Sequence, residues 1–170
     1  MGGEGVGRRY ATQQINDAYV VLLAAQFQQF CRDLHTEAAS ALAAAAQPAA
    51  VGQILQLNLT ANRQLDKANA QPSSIGSDFA KLGLRIWNTL DSQDKRNITR
   101  QTRLKQLNVW RNAVAHQDFA LEPNDQQVVG TTQRALRWVR TWRSACEALA
   151  VQMDRAVYTY IREKVGVVPW

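Results

Sequence analysis

Two histidines are the only side chains whose unperturbed pKa lies near neutrality. His35 follows Leu34 on a long segment with an apolar stripe. No arginine precedes it at a useful spacing, and it reads as a partly exposed helix residue. His116 closes the run Leu107-Asn108-Val109-Trp110-Arg111-Asn112-Ala113-Val114-Ala115-His116. Asn112 stands four residues before it and shares its face on a helix. Arg111 stands five before it, about 140° away around the helix axis, and a long side chain at a fraying end brings both groups to one groove. An imidazole paired with a guanidinium suits chemistry at phosphorus. The first moves a proton near pH 7, and the second neutralises charge growing on the phosphoryl oxygens. The bland alternative is a helix end whose Arg is solvated and whose His caps carbonyls. The chain's many arginines make the bare spacing weak evidence. Its context adds weight: small or apolar residues fill the spacer, and an aromatic apolar turn precedes it.

The segment is also basic. The 170 residues carry 20 Lys+Arg against 14 Asp+Glu, a formal charge of +6. Most of the excess falls after residue 90. From Lys95 to Gln117 there is no acidic residue, and Lys95, Arg96, Arg100, Arg103, Lys105 and Arg111 occur there. From Gln126 to Ala145 there is again none, and Arg134, Arg137, Arg140 and Arg143 form a ladder with Trp138 and Trp142 interleaved. Such runs are either solvated helix faces or surfaces that displace counterions from a nucleic-acid backbone. Trp142 reads as core, and Trp138 as either core or a platform for bases. Nucleic acid is the first partner the charge suggests.

The elements that would carry these groups are helical almost throughout, because apolar residues recur at three- and four-residue steps. Ile15, Tyr19, Leu22, Leu23, Phe27, Phe30, Leu34 and Leu42 stripe a first helix over 12–46. Pro48 stops it or opens the next. Val51, Ile54, Leu55, Leu59 and Leu65 line a second helix that ends before Pro72. Ser77 or Asp78 caps a short third helix, with Phe79, Leu82, Ile86 and Leu90 inward. A fourth helix runs from about 97 to 117, and residues 121–130 form a connection. The last helix spans about 131–165, with Leu136, Val139, Trp142, Cys146, Leu149, Met153 and Val157 inward, and Gly166 ends it. The expected class is therefore all-α, about five helices in a bundle, with the long first and last helices packed antiparallel. Residues 12–165 read as one domain, 1–11 as a flexible leader and 166–170 as a tail.

Cys31 and Cys146 are too few for a disulfide scaffold and lack zinc-ligand spacing, so they read as buried thiols. The longest clean apolar run, Tyr19–Ala25, is far short of the roughly 20 residues of a membrane span. No signal-peptide pattern follows the Gly-rich start. The expected location is the cytoplasm, with no membrane partner.

The sequence Arg111-Asn112-Ala113-Val114-Ala115-His116 resembles the Arg-polar-spacer-His motif of the HEPN superfamily, the higher eukaryote and prokaryote nucleotide-binding domains. These are all-helical domains of this size, with the motif on a late helix followed by a long C-terminal one. The resemblance implies a metal-independent, cofactor-free endoribonuclease of toxin or defence type, working as a homodimer in which two motif helices meet, with an antitoxin protein as a possible further partner. Arg111 would stabilise the phosphorane, His116 would act as acid and base, and Asn112 would orient His116 or hold a phosphate. Lys95, Arg96, Arg100, Arg103 and Lys105 would guide RNA. Toxins of this superfamily often carry a modifiable Tyr two residues after the motif His. Asp118 stands there instead, either bonding His116 or simply ending the helix. The alternatives are a non-catalytic HEPN-like module for RNA or nucleotide binding or dimerisation, and an unrelated basic helical nucleic-acid-binding protein.

Overall fold

A computed structural model describes the backbone of residues 4–166 and the side chains from Tyr10 onward. Its order is α1 (Glu4–Ala44), α2 (Ala49–Thr60), α3 (Gln64–Lys67), α4 (Pro72–Lys81), α5 (Ile86–Gln93), α6 (Arg96–His116), α7 (Pro123–Val129) and α8 (Leu136–Val165). The described residues form no strand, so the class is all-α with long first and last helices. The eight helices outnumber the expected five because three are short. Pro72 and Pro123 open α4 and α7 at the first turn, where a missing N–H costs nothing. Helix α1 starts at Glu4, eight residues before the expected start, and so covers most of the expected leader. Residues 1–3 and 167–170 lie outside the described residues.

Helix α6 packs against both α1 and α8, which also pack directly on each other. Against α8 it runs antiparallel: Asn97 meets Gln152, Gln106 meets Trp142, and Trp110 reaches Thr132 just before α8 begins. Against α1 it is also antiparallel. Its last turn shares a recess with Gln13 and Asp17, while Asn108 and Gln28 both bond carbonyls of the α3–α4 region. The long helices α1 and α8 therefore run parallel, pairing Asp17 with Arg134, Tyr19 with Arg143 and Cys31 with Cys146. The expected antiparallel pairing is wrong. Both long helices run antiparallel to α6 and hence parallel to each other, and the periodicity of either carries no record of it.

The core follows the anticipated stripes through Leu23, Phe27, Leu34, Trp142, Leu149 and Ile161. Five stripe members do not join it: Ile15, Leu22 and Leu136 are exposed, as are Val51 and Ile54 on α2. Gly52 is fixed by sterics, since a Cβ there would stand 2.4 Å from the carbonyl oxygen of Ala43.

His35 is fully buried, not partly exposed. Its Nε2–H donates to the Asp78 carbonyl at 3.0 Å, and its ring meets Phe79 edge-on. Its Nδ1 is buried with no protein partner. Burial holds its pKa below the ordinary histidine value. Asp78 is not the cap of α4. Its buried carboxylate accepts the backbone N–H groups of Gln64 (2.9 Å) and Leu65 (2.8 Å), satisfying the open end of α3 from across the fold.

Two outcomes follow from these contacts. Gly52→Ala forces α2 off α1 and lowers unfolding free energy in urea by about 1–3 kcal/mol. Because the folded His35 binds a proton less readily than the unfolded one, its contribution is complete above about pH 6.5 and falls away as pH drops. Urea midpoints should therefore decline from pH 7 to 5, and His35→Gln should remove that decline.

Candidate functional site at the end of α6

The site is built by the way α6 is seated and stopped. Buried amides fix its register. Asn97 Nδ2 donates to the Leu90 carbonyl (2.7 Å) and to Gln152 Oε1 (2.6 Å), and Asn108 Nδ2 donates to the Ala70 carbonyl (3.1 Å). Gln106 Nε2 donates to the Val128 carbonyl. At the far end Gln117 adopts the left-handed conformation, and the N–H of Asp118 donates to the Ala113 carbonyl. That closes the helix one residue after His116 and turns the chain away. The Asp118 carboxylate accepts the Ala120 N–H at 3.1 Å.

His116 is exposed and lines a shallow recess of about 200 Å³ together with Asn112, Val109 and Ala113. Arg111 does not line that recess. It bonds Asn112, which does, through Asn112 Oδ1 accepting Arg111 Nη1 at 3.2 Å. The same oxygen accepts Asn69 Nδ2 at 2.6 Å. Asn112 thus holds Arg111 and the α3–α4 connection, and its own Nδ2 is left for a ligand. Asn69 escaped the sequence reading because it lies 43 positions away with no motif around it. The opposite wall brings in Asp118, Glu122 and Asp125. These carboxylates disfavour a bare phosphate beside the imidazole. Their spacing in sequence gave no sign that the connection folds back over His116. Among the described residues no group of three or more His, Cys, Asp or Glu forms a metal site.

The candidate RNA-binding cations divide. Lys95 and Lys105 are exposed. Arg96 and Arg100 both close on Asp94, at 3.0 Å each. The hydrogen bonds from Arg96, with Gln152 and Arg100, hold the Asp94 carboxyl well below the usual carboxylate range. Arg103 bonds Gln106 and lies 5.3 Å from the centre of the Trp138 ring. Arg137 lies 5.6 Å from that ring, so two guanidiniums already occupy Trp138, which packs against the core. Trp142 is fully buried. In the ladder, Arg134 pairs with Asp17 and Arg143 with Glu147, while Arg140 is exposed.

Both cysteines are buried thiols, as their positions on the stripes suggest. Burial pushes Cys146 up to about 12 and raises Cys31 well above its ordinary value. Neither is a nucleophile at neutral pH. No described helix is long and apolar enough to cross a membrane.

Fold and site together define an all-helical protein whose penultimate long helix ends on an Arg–Asn–His cluster. Comparison with known proteins adds nothing to that definition: no family model, curated protein or solved structure matches the chain.

The Asp94 cluster is open to measurement. Asp94→Asn should lower unfolding free energy at pH 7. A carboxyl with a depressed folded pKa contributes fully above its unfolded value, so the difference from wild type should shrink as pH falls below about 4. Urea unfolding at pH 7, 4 and 3 reads this directly.

Proposed function

We propose that the protein is a metal-independent endoribonuclease of the HEPN type, acting at a composite site formed by two copies of the chain. The supporting observation is that Asn112 both bonds Arg111 through its side-chain amide and lines the same recess as His116 at the accessible end of α6. His116 takes the proton from a ribose 2′-OH, whose oxygen attacks the adjacent phosphorus. Arg111 stabilises the phosphorane. His116 of the second copy protonates the departing 5′-oxygen. The products are a 2′,3′-cyclic phosphate and a 5′-hydroxyl. A twofold arrangement supplies both imidazoles, because each copy contributes one. The exposed Lys95, Lys105 and Arg140 provide attraction for the RNA backbone.

A specific observation favours a second reading. The carboxylates of Asp118, Glu122 and Asp125 around His116 repel a phosphate. A non-catalytic HEPN-like module that binds RNA or only dimerises accommodates them without difficulty.

The test is purified protein on RNA in EDTA. Cleavage should leave cyclic phosphate ends. Arg111→Ala and His116→Ala should each abolish it while circular dichroism and dimer mass stay unchanged. Cleavage surviving both substitutions removes the site, and a monomer at micromolar concentration removes the composite mechanism. RNA that is bound but never cut selects the second reading. Binding should fall with salt, with a log–log slope of about −0.7 for each phosphate neutralised.

A further inference from the structure

Across the 117–121 turn from the His116 recess lies a second one of about 390 Å³, between the last turn of α6 and the first half of α1. Its volume falls in the range of small-ligand sites, about 300–1,000 Å³. Val114 and Ala18 contribute apolar surface, and Tyr10, Gln13, Gln117 and Phe119 stand around it.

Phe119 is the conspicuous member. It is 42% exposed although it is fully apolar. The Arg134 guanidinium lies 3.8 Å from its ring centre and covers one face. Arg134 is in turn pinned by Asp17 and lies 5.9 Å from the Trp110 ring. The phenyl ring is therefore backed by a fixed cation and offers its other face to solvent, which is how a stacking platform for a nucleobase is built. Tyr10, 67% exposed, brings a second ring to the rim.

The polar groups have a defined sense. Gln13 Nε2 donates to Asp17 Oδ1 (2.8 Å) and to the Arg134 carbonyl (3.2 Å). Gln117 Nε2 donates to the Val114 carbonyl (2.8 Å). Every partner is an acceptor, so both hydrogens of the Gln13 amide nitrogen and one of the two on Gln117 are committed to the protein. Each amide retains its oxygen, an acceptor, for a ligand. Adenine, cytosine and guanine carry exocyclic amino groups that donate to such oxygens. Uracil presents two carbonyls and a single N–H, so it satisfies one of the two oxygens at most. The position also fits a strand passing the motif, since Phe119 stands three residues after His116, within about 11 Å of chain.

We propose that this recess is a nucleobase subsite that stacks an RNA base on Phe119 and prefers amino-bearing bases over uracil. The proposal rests on the RNA reading above, and its test does not require cleavage. ¹⁵N-labelled wild-type protein is titrated with GMP, AMP, CMP and UMP, following the backbone amides of Gln117 and Phe119 and the side-chain amide of Gln13. The amino-bearing nucleotides should shift these signals, with UMP weaker by on the order of 10-fold. Phe119→Ala should lose affinity by a similar factor, on the order of 10-fold. Phe119→Tyr, which keeps the ring, should restore it. Unmoved signals, equal binding of UMP, or full affinity in Phe119→Ala each overturn the subsite. A protein that cuts RNA while these signals stay still loses the subsite alone. A protein that binds the nucleotides here but never cuts RNA keeps the subsite and loses the nuclease.

Discussion

Helix α6 cannot be buried unless its amide side chains find partners, and the arrangement of the other helices answers to that requirement. An amide left unpaired in a core costs on the order of 1–3 kcal/mol. Asn97, Gln106 and Asn108 are all buried. Their bonds reach the end of α5, the last turn of α7, the α3–α4 connection and α8. A shift of α6 along its axis would break the whole set. The same register carries Arg111, Asn112 and His116 to the surface, where Asn69 draws Asn112 into place. The precision of the exposed end thus derives from the buried middle.

Charge is organised by the same logic of satisfaction. The excess of cations concentrates on α6 and α8, yet much of it is engaged inside the molecule. Asp94 takes Arg96 and Arg100, Asp17 takes Arg134, and Trp138 holds Arg103 and Arg137 against its ring. Partly exposed ion pairs of this kind add little stability, but they fix side chains and reduce what is available to an anionic partner. The cations still open to solvent include Lys95, Lys105 and Arg140. A negative wall, meanwhile, stands over His116. Electrostatics around the motif is therefore mixed.

Helices and buried stripes were legible because they depend on neighbours three and four positions away. Trp142, Leu149, Met153 and Phe27 go where periodicity puts them. The end of α6 was legible for the same local reason, with His116 closing the run. Four features were not. His35 is buried, Asp78 caps a helix other than its own, Asn69 supports Asn112, and Asp118, Glu122 and Asp125 share a recess with the imidazole. Each joins parts of the chain that no short window contains. Ile15, Leu22 and Leu136 show the converse: their local pattern is apolar, but nothing in the fold comes to cover them.

The sequence alone determined that this chain is helical, which faces are apolar, and where an arginine, an asparagine and a histidine gather at a helix end. These are consequences of spacing and intrinsic preference. The tertiary structure decided that α1 and α8 run parallel, which arginines are spent on internal carboxylates and rings, and which glutamine nitrogens are bonded within the protein beside Phe119. Those outcomes follow from pairing between distant groups, since each buried donor and charge must find its partner wherever the packed chain brings one.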